Sequence, residues 1–304
     1  MPGARRPSFR TEDPGRSPTA TRRGPTVFAP GAPAGRFEVA AWHYERLDPD
    51  FAEERILWSR GYRHVAGIDE VGRGCLAGPV TAAAVILPPN WKPRGLRDSK
   101  LLKPEERRRL DVEIRSRALA WAIAFVSPEL IDRINILQAT LLASQLAAAR
   151  LPIRADALLL DAVALPELKI HQRVLVSADR LCASVAAASV IAKVARDRLM
   201  EEMDLLYPGY DLARNKGYAA PEHRAGLDAL GLTPIHRLSF APCRNREQMS
   251  LWDDAAADAD ADADAGADAD TGASVGADAI GEEADTIGDQ ADEAVLIEEA
   301  GLVD

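Results

Sequence analysis

The sequence predicts one α/β domain with a mixed five-stranded sheet, between two terminal segments that do not fold. Between about residues 37 and 250, short apolar runs of strand length alternate with stretches whose apolar residues recur at helical spacing. A Gly-rich turn joins the first two predicted strands, whereas helices separate the later ones. This order indicates a sheet with both antiparallel and parallel neighbours and with helices on its faces.

Five apolar runs have the length and the flanking residues of strands. The first run is short and leads through the Gly-rich turn Val71–Gly78 into a longer run, which predicts a hairpin. Two later runs each end at or near an aspartate. The predicted strands are His64–Ile68, Val80–Leu87, Trp121–Val126, Ala157–Leu160 and Arg173–Val176.

Helices are predicted where helical apolar spacing follows a start signal. Pro104, with Glu105 and Glu106 after it, suits the first turn of a helix. Ser127 before Pro128 is a similar signal, because a serine side chain can cap a helix N-terminus. The predicted helices are a lead-in over Glu38–Gly61, then Pro104–Leu119, Ser127–Arg150, Ser184–Leu206 and Pro221–Leu230.

The two ends of the chain have compositions that favour disorder. Residues 251–304 contain 18 acidic residues and no Lys or Arg, mostly in Ala-Asp alternation. Such a segment cannot bury enough apolar surface to offset the entropy lost on ordering. Residues 1–36 are rich in Arg, Pro, Gly and Ser/Thr. We therefore predict a disordered basic arm over 1–36, a folded domain over 37–250 and a disordered acidic tail over 251–304.

The formal net charge of −10 averages over segments of opposite sign. Residues 1–250 hold 37 basic and 29 acidic residues, a net charge of +8. The predicted domain alone, 37–250, holds 30 basic and 27 acidic residues, or +3. A mildly basic body suits a polyanionic partner, although a solvated surface explains such charges equally well.

Cysteine usage and hydropathy bear on the compartment. Cys75, Cys182 and Cys243 form no CxxC pair and are odd in number, which argues against a disulfide framework and against a zinc site. No apolar run approaches the roughly 20 residues that span a bilayer, and the N-terminus lacks the apolar core of a secretory signal. We expect a protein of the reducing cytoplasm with no membrane partner.

Four carboxylates fall at the ends of predicted elements. Asp69 and Glu70 follow the first strand, Asp161 ends a strand of leucines, and Asp179 precedes a long helix. If these strands are neighbours, the carboxylates meet at one end of the sheet, where like charges are unfavourable without a cation. Oxygen ligands select hard ions such as Mg²⁺ or Mn²⁺. Each acid alone could instead be a turn residue or a helix cap, Asp179 above all.

A set of ordered motifs resembles the ribonuclease HII family. The resemblance covers about residues 50–245 and leaves both terminal segments outside it. The motifs are Gly67-Ile68-Asp69-Glu70-Val71-Gly72-Arg73-Gly74, Asp98-Ser99-Lys100, the strand ending at Asp161, Ala186–Lys193 with Arg196-Asp197, Lys216-Gly217-Tyr218 and Thr233–Arg237. Several motifs in the same order are far more specific than one.

The resemblance implies a ribonuclease H-like fold with a small C-terminal helical region, in a monomeric protein. It implies two divalent ions, Mn²⁺ or Mg²⁺, held by Asp69, Glu70, Asp161 and Asp179, which are also the catalytic residues. The implied activity is hydrolysis of the RNA strand of RNA–DNA hybrids and incision 5′ to a single ribonucleotide in duplex DNA. Such cleavage leaves 5′-phosphate and 3′-hydroxyl ends.

The resemblance also implies which residues contact the substrate. The turn Gly72-Arg73-Gly74 matches the element that recognises the ribonucleotide 2′-OH through its backbone, and Tyr218 matches a residue that stacks on the following sugar. Lys100 and Lys193 match phosphate contacts, although on sequence alone each is an ordinary surface lysine. His223 and His236 could be general acids, with surface or packing roles as the default.

The chain departs from the family pattern beside two of the carboxylates. Ala178, Leu181 and Cys182 flank Asp179 where the family usually has Gly before it and a Lys-Ser pair after it, and Ala162 replaces the usual Gly after Asp161.

Two other functions remain open at this point. They are a junction-cutting nuclease of the same fold and a nucleic-acid-binding module without catalysis. The acidic tail could also compete with nucleic acid for the basic face, against a default of inert tails.

Overall fold

The computed structural model describes residues 37–39, 48–244 and 301–302. The predictions for the basic arm, for residues 40–47 and for residues 251–300 of the acidic tail lie outside these residues. Residues 301–302, which were predicted as part of the disordered tail, instead form a short strand at the edge of the sheet. Within them, seven strands form one sheet in the order β1-β6-β5-β2-β3-β4-β7. The strands are β1 (Phe37–Val39), β2 (Val65–Val71), β3 (Val80–Ile86), β4 (Ala120–Val126), β5 (Ala157–Asp161), β6 (His171–Leu175) and β7 (Gly301–Leu302).

The five central strands confirm the predicted mixed sheet. Strands β2, β3 and β4 are consecutive antiparallel neighbours, as the predicted hairpin requires. Strands β5 and β6 extend the sheet from the other side of β2, and both pairings are parallel. The short strands β1 and β7 lie at the two edges and were not predicted.

Six α-helices occur in the described ranges, and none of them has the length and apolar character needed to cross a membrane. Their positions confirm the predicted helices after residue 100 to within a few residues. The helices are α1 (Ala52–Ser59), α2 (Pro104–Arg117), α3 (Pro128–Ala149), α4 (Ala183–Leu206), α5 (Leu212–Asn215) and α6 (Pro221–Leu230). A break interrupts α3 at Asn135, where φ is 69° and the side chain caps the next turn by accepting from the N–H of Leu137.

The predicted lead-in helix over Glu38–Gly61 is wrong in its first part. Residues 37–39 form β1, and helix α1 begins only at Ala52. Pro49 disfavours a helical backbone at the residue before it, and the Asp50 carboxylate accepts from the N–H of Ala52 at 2.6 Å. These two local effects set the start of α1.

Both faces of the sheet are covered. On one face, α2 and α4 pack against alternate residues of β3 and β4, including Val85 and Ile123. On the other face, α3 packs against the intervening residues, including Ile86 and Ala122. The apolar runs of the central strands are therefore continuous because both sides of those strands are buried.

Helix α4 lies unusually close to β2. A Cβ atom at Gly67 would stand 2.2 Å from the backbone of Ser184 and Val185. Glycine at this position and alanines at 186–188 allow this approach. The approach places the middle of α4 beside the end of β2, where Asp69 lies.

A small helical region follows α4, as the resemblance to the family implied. It contains α5, α6 and the segment to residue 244. Its own apolar cluster includes Met200, Tyr210, Leu212 and Leu227, and it packs against Leu76 in the loop after β2. The region therefore touches the loop that leaves the carboxylate end of the sheet.

Glu54 is a buried acid in α1 with one well-bonded oxygen. Its Oε1 accepts hydrogen bonds from the N–H of Ser184 at 2.8 Å and from the Ser184 hydroxyl at 2.7 Å. Among the described residues its Oε2 has no hydrogen-bond partner. Burial raises the pKa of Glu54 from 4.5 to about 7.

We expect Glu54→Gln to remove a pH-dependent part of the free energy of unfolding. Because the folded pKa is raised, the stability that the protonated acid contributes is complete below about pH 4.5 and is lost as pH rises through about 7. The variant should therefore gain roughly 3 kcal/mol relative to wild type between pH 4 and pH 8. Urea unfolding at both pH values measures this difference. Glu105→Gln, at an exposed position, is the control, and an equal difference at both pH values would contradict the assignment.

Candidate active site

Asp69 and Glu70 lie inside β2, not beyond its end. The predicted strand ended at Ile68, but pairing with β3 continues through Val71, which faces Thr81. Adjacent side chains of a strand point to opposite faces. Asp69 lies on the α4 side, where the Ser189 hydroxyl donates to it, and Ser189 in turn contacts the Ser99 hydroxyl at 2.8 Å. Asp69 is therefore buried and held by a serine pair.

The parallel register of β2 and β5 brings Asp161 next to Asp69. Ile68 pairs with Leu160, so the two aspartates are the next residues along neighbouring strands. The Asp161 carboxylate accepts from the N–H of Ala178 at 3.1 Å. This hydrogen bond ties β5 to the 3₁₀ turn Ala178–Arg180, which contains Asp179. The structure thus places Asp69, Asp161 and Asp179 on neighbouring segments of the chain.

The carboxylates repel one another. Burial, with the charge of Glu70 and smaller contributions from Asp161 and Asp179, raises the pKa of Asp69 well above its usual value. Burial and the charges of Asp98 and Asp161 raise the pKa of Asp179 to about 6. The pKa values of Glu70 and Asp161 are raised as well, again mainly by burial. The site therefore concentrates more negative charge than it neutralises.

Asp98 is a further acid beside this cluster, and it is buried, as are Asp69 and Asp179. It lies before the 3₁₀ turn Ser99–Leu101, where its carboxylate accepts from the N–H of Lys100 at 2.9 Å and faces Arg180 at 3.4 Å. The motif Asp98-Ser99-Lys100 predicted no separate role for Asp98. Its capping role could have been predicted, because an aspartate at the start of a helical turn is a typical N-cap.

Three basic side chains, those of Lys100, Arg73 and Arg180, border the carboxylates. Lys100 Nζ lies 3.9 Å from Asp179 Oδ2, and Arg73 contacts Glu70 at 3.2 Å. Although burial opposes it, the charges of Asp179, Asp69 and Asp98 raise the pKa of Lys100. Lys100 nevertheless keeps 78% of its side chain exposed, so its charge remains available to a ligand.

The donor chemistry of the cluster fits a hard divalent ion. All four predicted ligands offer only carboxylate oxygens, and a cation between them would relieve the repulsion that raises their pKa values. No three His, Cys, Asp or Glu side chains within residues 48–244 already stand in ligand positions around one point. Joint coordination of one ion by three of these carboxylates would therefore need side-chain rotation.

The turn Gly72-Arg73-Gly74 follows β2 directly. Gly72 has φ of +91°, and a Cβ there would stand 2.3 Å from Arg196 Nε. A Cβ at Gly74 would meet nothing within 4 Å, so this side of the turn is open. Only glycine fits at Gly72, because both the backbone angle and the buried neighbour exclude a side chain.

Tyr218 stands near this turn and is 44% exposed. The loop that carries it is fixed to the turn, because the N–H of Leu76 donates to the carbonyl of Gly217 at 2.8 Å. The Cys75 thiol also contacts the carbonyl of Lys216 at 3.5 Å. The predicted elements for sugar recognition are thus neighbours in space.

Lys193 lies in a cleft between α2, α4 and the loop before Tyr218. Its ammonium contacts Asp197 at 2.6 Å. The cleft has a volume of about 480 Å³. Six basic residues and two acidic ones line it: Arg107, Arg108, Lys193, Arg198, Arg214 and Lys216, with Asp197 and Glu201. The cleft begins at Tyr218 and carries a net positive charge.

His223 and His236 form a buried pair, which places them in the packing role and not at the surface. The N–H of Thr233 donates to His236 Nδ1 at 3.1 Å, so His236 carries its proton on Nε2. That proton points to His223 Nε2 at 3.1 Å, and His223 Nδ1 then donates to the carbonyl of Tyr218 at 2.8 Å. Burial lowers the pKa of both rings, that of His236 to about 4.

The departures from the family pattern have structural roles. Cys182 is fully buried and precedes α4, and its N–H donates to the carbonyl of Ala178. Ala162 keeps the turn after Asp161 by adopting φ of 57°, and its N–H donates to Leu175. A left-handed alanine costs about 1 kcal/mol, so the turn is retained with some strain.

Comparison with known proteins agrees with this geometry. The sequence model of the family described as Ribonuclease HII matches residues 66–243. Ribonuclease HII of Desulfitobacterium hafniense strain Y51 is 50% identical over 202 residues, which cover 66% of this chain and 78% of that protein. Ribonuclease HII of Moorella thermoacetica is 51% identical over 202 residues, which cover 66% and 98%.

Solved structures show the same fold. Ribonuclease H2 from Pyrococcus horikoshii has a TM-score of 0.55 and 25% identity, over 62% of this chain and 98% of that one. The structure of the PCNA:RNase HII complex from Archaeoglobus fulgidus matches with a TM-score of 0.52 and 27% identity, over 59% and 95%.

The histidine pair has a defined proton arrangement that can be measured. Long-range ¹H–¹⁵N NMR of the imidazoles at about pH 7.5 should show the proton of His223 on Nδ1, and at about pH 5.5 the ring of His236 should still be neutral, with its proton on Nε2. His236→Asn identifies the signals, and the remaining histidines of the chain serve as internal references. A protonated His236 at this pH, or the opposite tautomers, would refute the arrangement.

Proposed function

Since this chain belongs to the ribonuclease HII family and is therefore a hydrolytic nuclease, we propose that it cleaves the RNA strand of RNA–DNA hybrids and incises 5′ to single ribonucleotides in duplex DNA. The observation that carries the proposal is the register of β2 beside β5. It places Asp69 next to Asp161, and the turn Gly72-Arg73-Gly74 begins three residues after Asp69. A carboxylate cluster beside an open Gly-rich turn suits cleavage next to a recognised sugar.

The catalytic part of the proposal assigns the four acids to metal binding. Asp69, Glu70, Asp161 and Asp179 would hold two divalent ions, Mn²⁺ or Mg²⁺, which when bound activate a water and neutralise charge on the leaving 3′ oxygen. Ser189 and the N–H of Ala178 orient Asp69 and Asp161. The products would be 5′-phosphate and 3′-hydroxyl ends.

Lys100 is assigned to the scissile phosphate. Its exposed ammonium lies 3.9 Å from Asp179, so it can contact a phosphate oxygen at the edge of the carboxylate cluster. Lys193 is tied to Asp197, so we assign it to the wall of the cleft and to the electrostatic attraction of the strand.

Recognition of the ribonucleotide is assigned to the turn and to Tyr218. Backbone groups of Gly72, Arg73 and Gly74 can approach a 2′-OH closely because the open side of Gly74 has no side chain above it. The exposed ring of Tyr218 would stack on the next sugar. The cleft beyond Tyr218 would follow the phosphate backbone of the duplex, for which its positive charge is suited.

The wider organisation is also a proposal. We assign catalysis to residues 37–250 and treat 1–36 and 251–304 as a basic arm and an acidic tail outside the catalytic domain. The three cysteines are buried and form no disulfide within the described residues, which suits a reducing cytoplasm. We propose that the protein acts there as a monomer.

The first test uses a DNA duplex with one embedded ribonucleotide, incubated with Mn²⁺ or Mg²⁺. We expect a single incision 5′ to the ribonucleotide, no cleavage of the all-DNA duplex, and loss of activity in EDTA. Asp69→Asn should lower the rate by at least about 100-fold, because it removes a metal ligand. Glu113→Gln, whose carboxylate pairs with Arg109 on α2, is the matched control.

Two outcomes of this test would replace the proposal. Equal cleavage of the all-DNA duplex would favour another nuclease of the same fold. Binding of the duplex without cleavage at any Mn²⁺ or Mg²⁺ concentration would favour a binding protein.

The second test addresses the cleft. Arg108 and Arg214 are exposed at its two walls. The double variant Arg108→Ala/Arg214→Ala should raise KM with little change in kcat. The slope of log affinity against log salt concentration should become less steep by about 0.9 for each lost phosphate contact. Arg154→Ala is the control, because Arg154 precedes β5 at the end of the sheet opposite Asp161. An unchanged salt dependence in the double variant would remove the cleft from the binding surface.

A further inference from the structure

Two arginines are completely buried behind the Gly72-Arg73-Gly74 turn. Arg196 lies on α4 and Arg237 lies after α6, and both side chains are 0% exposed. They are the two largest fully buried side chains in the described part of the chain. A buried guanidinium is costly unless all its donors are bonded, so its partners show what it is for.

All seven hydrogen bonds of these guanidinium groups go to main-chain carbonyls. Arg237 donates to Gly72, Arg73 and Gly78, with Gly78 accepting twice, at 2.8 to 3.0 Å. Arg196 donates to Ala77, Pro79 and Lys216 at 2.8 to 3.0 Å. Within residues 48–244 neither group has a carboxylate within 4.0 Å, whereas nearby arginines such as Arg73 and Arg107 do.

The absence of a counter-ion has an energetic consequence. Burial and the charge of Arg196 lower the pKa of Arg237 to about 10. Two like charges buried together are destabilising, and an apolar pair of similar volume would be less costly in a core. A carbonyl-bonded arginine pair is therefore better explained by the backbone conformation that it fixes than by global stability.

The peptide geometry shows what that conformation does. In a trans peptide the carbonyl of one residue and the N–H of the next point in opposite directions. Because Arg237 holds the carbonyls of Gly72 and Arg73 inward, the N–H groups of Arg73 and Gly74 point away from the Arg237 guanidinium. Neither N–H donates to another described residue, and the space above Gly74 is open.

The same pair also fixes the loop that carries Tyr218. Arg196 donates to the carbonyl of Lys216, two residues before the tyrosine. The N–H of Gly78 donates to the carbonyl of Ile235, and the N–H of Arg237 donates to the carbonyl of Leu76. These two bonds join the segment that carries Arg237 to the loop after β2. The open turn and the Tyr218 loop are therefore two surfaces of one rigid body.

We propose that Arg237 and Arg196 are positioning residues that set the sugar specificity of the enzyme, by presenting the N–H groups of Arg73 and Gly74 to the ribonucleotide and fixing their distance from Tyr218. This inference rests on the proposed function. The arginines touch no substrate and act only through the backbone.

The test compares Arg237→Lys and Arg196→Lys with wild type. A lysine keeps the charge, but its three donors share one nitrogen and cannot reach carbonyls that are spaced around a planar guanidinium. Each variant should lower kcat/KM for the single-ribonucleotide duplex by about tenfold or more, while its Kd for the all-DNA duplex stays within about twofold of wild type. Arg115→Lys, which alters an Asp111 pair on α2, is the matched control. Activity equal to wild type in both variants would overturn the proposal.

Hydrogen exchange separates this proposal from the proposed function and from simple unfolding. In wild type, the amides of Leu76 and Gly78 should exchange as slowly as the sheet, although they lie in a loop, and Arg237→Lys should accelerate residues 72–79 and 216–218 selectively. Fast exchange in wild type would overturn the proposal that the two arginines fix this backbone, even if a variant did not fold. Slow exchange in a protein that cuts no ribonucleotide would reject the proposed function but not the fixing of the backbone by the arginines.

Discussion

The close packing of α4 against β2 is the contact on which the rest of the structure depends. Gly67 allows the helix to approach, and from there helix and strand run side by side. Three residues of strand, from Asp69 to Gly72, advance about 10 Å, and seven residues of helix, from Ser189 to Arg196, advance about 10.5 Å. Because these lengths match, one helix can hold the buried carboxylate through the Ser189 hydroxyl and pack the Arg196 side chain against Gly72 in the turn beyond it.

Charges of opposite sign are buried near each other in this domain but do not neutralise one another. The carboxylates gather at the ends of β2 and β5, while the guanidinium groups of Arg196 and Arg237 are occupied by carbonyls behind the turn. The acids therefore keep raised pKa values and unfavourable repulsion. Such an arrangement costs stability in the isolated protein, and the pairs of Glu70 with Arg73 and of Asp179 with Lys100 do not bring the pKa values of these acids back to their usual range.

Sequence patterns predicted those features that depend on local signals. Continuous apolar runs located the five central strands, and terminal acids such as Asp161 located the site. The lead-in helix was wrong at residues 38 and 39 because pairing of β1 with β6 overrides the helical spacing there. The role of Arg237 could not be predicted, because Arg237 bonds Gly72 from 165 positions away and nothing local distinguishes it from a surface arginine.

The C-terminal region is part of the site and not an addition to the sheet. Tyr218 is held on three sides, by His223 at its own carbonyl, by Leu76 at Gly217 and by Arg196 at Lys216. None of these contacts involves a carboxylate of the cluster. Under the proposed function, cleavage chemistry and sugar recognition are therefore built from different parts of the chain and meet at the end of β2. A change in the helical region would then alter which sugar is accepted while the carboxylates remain in place.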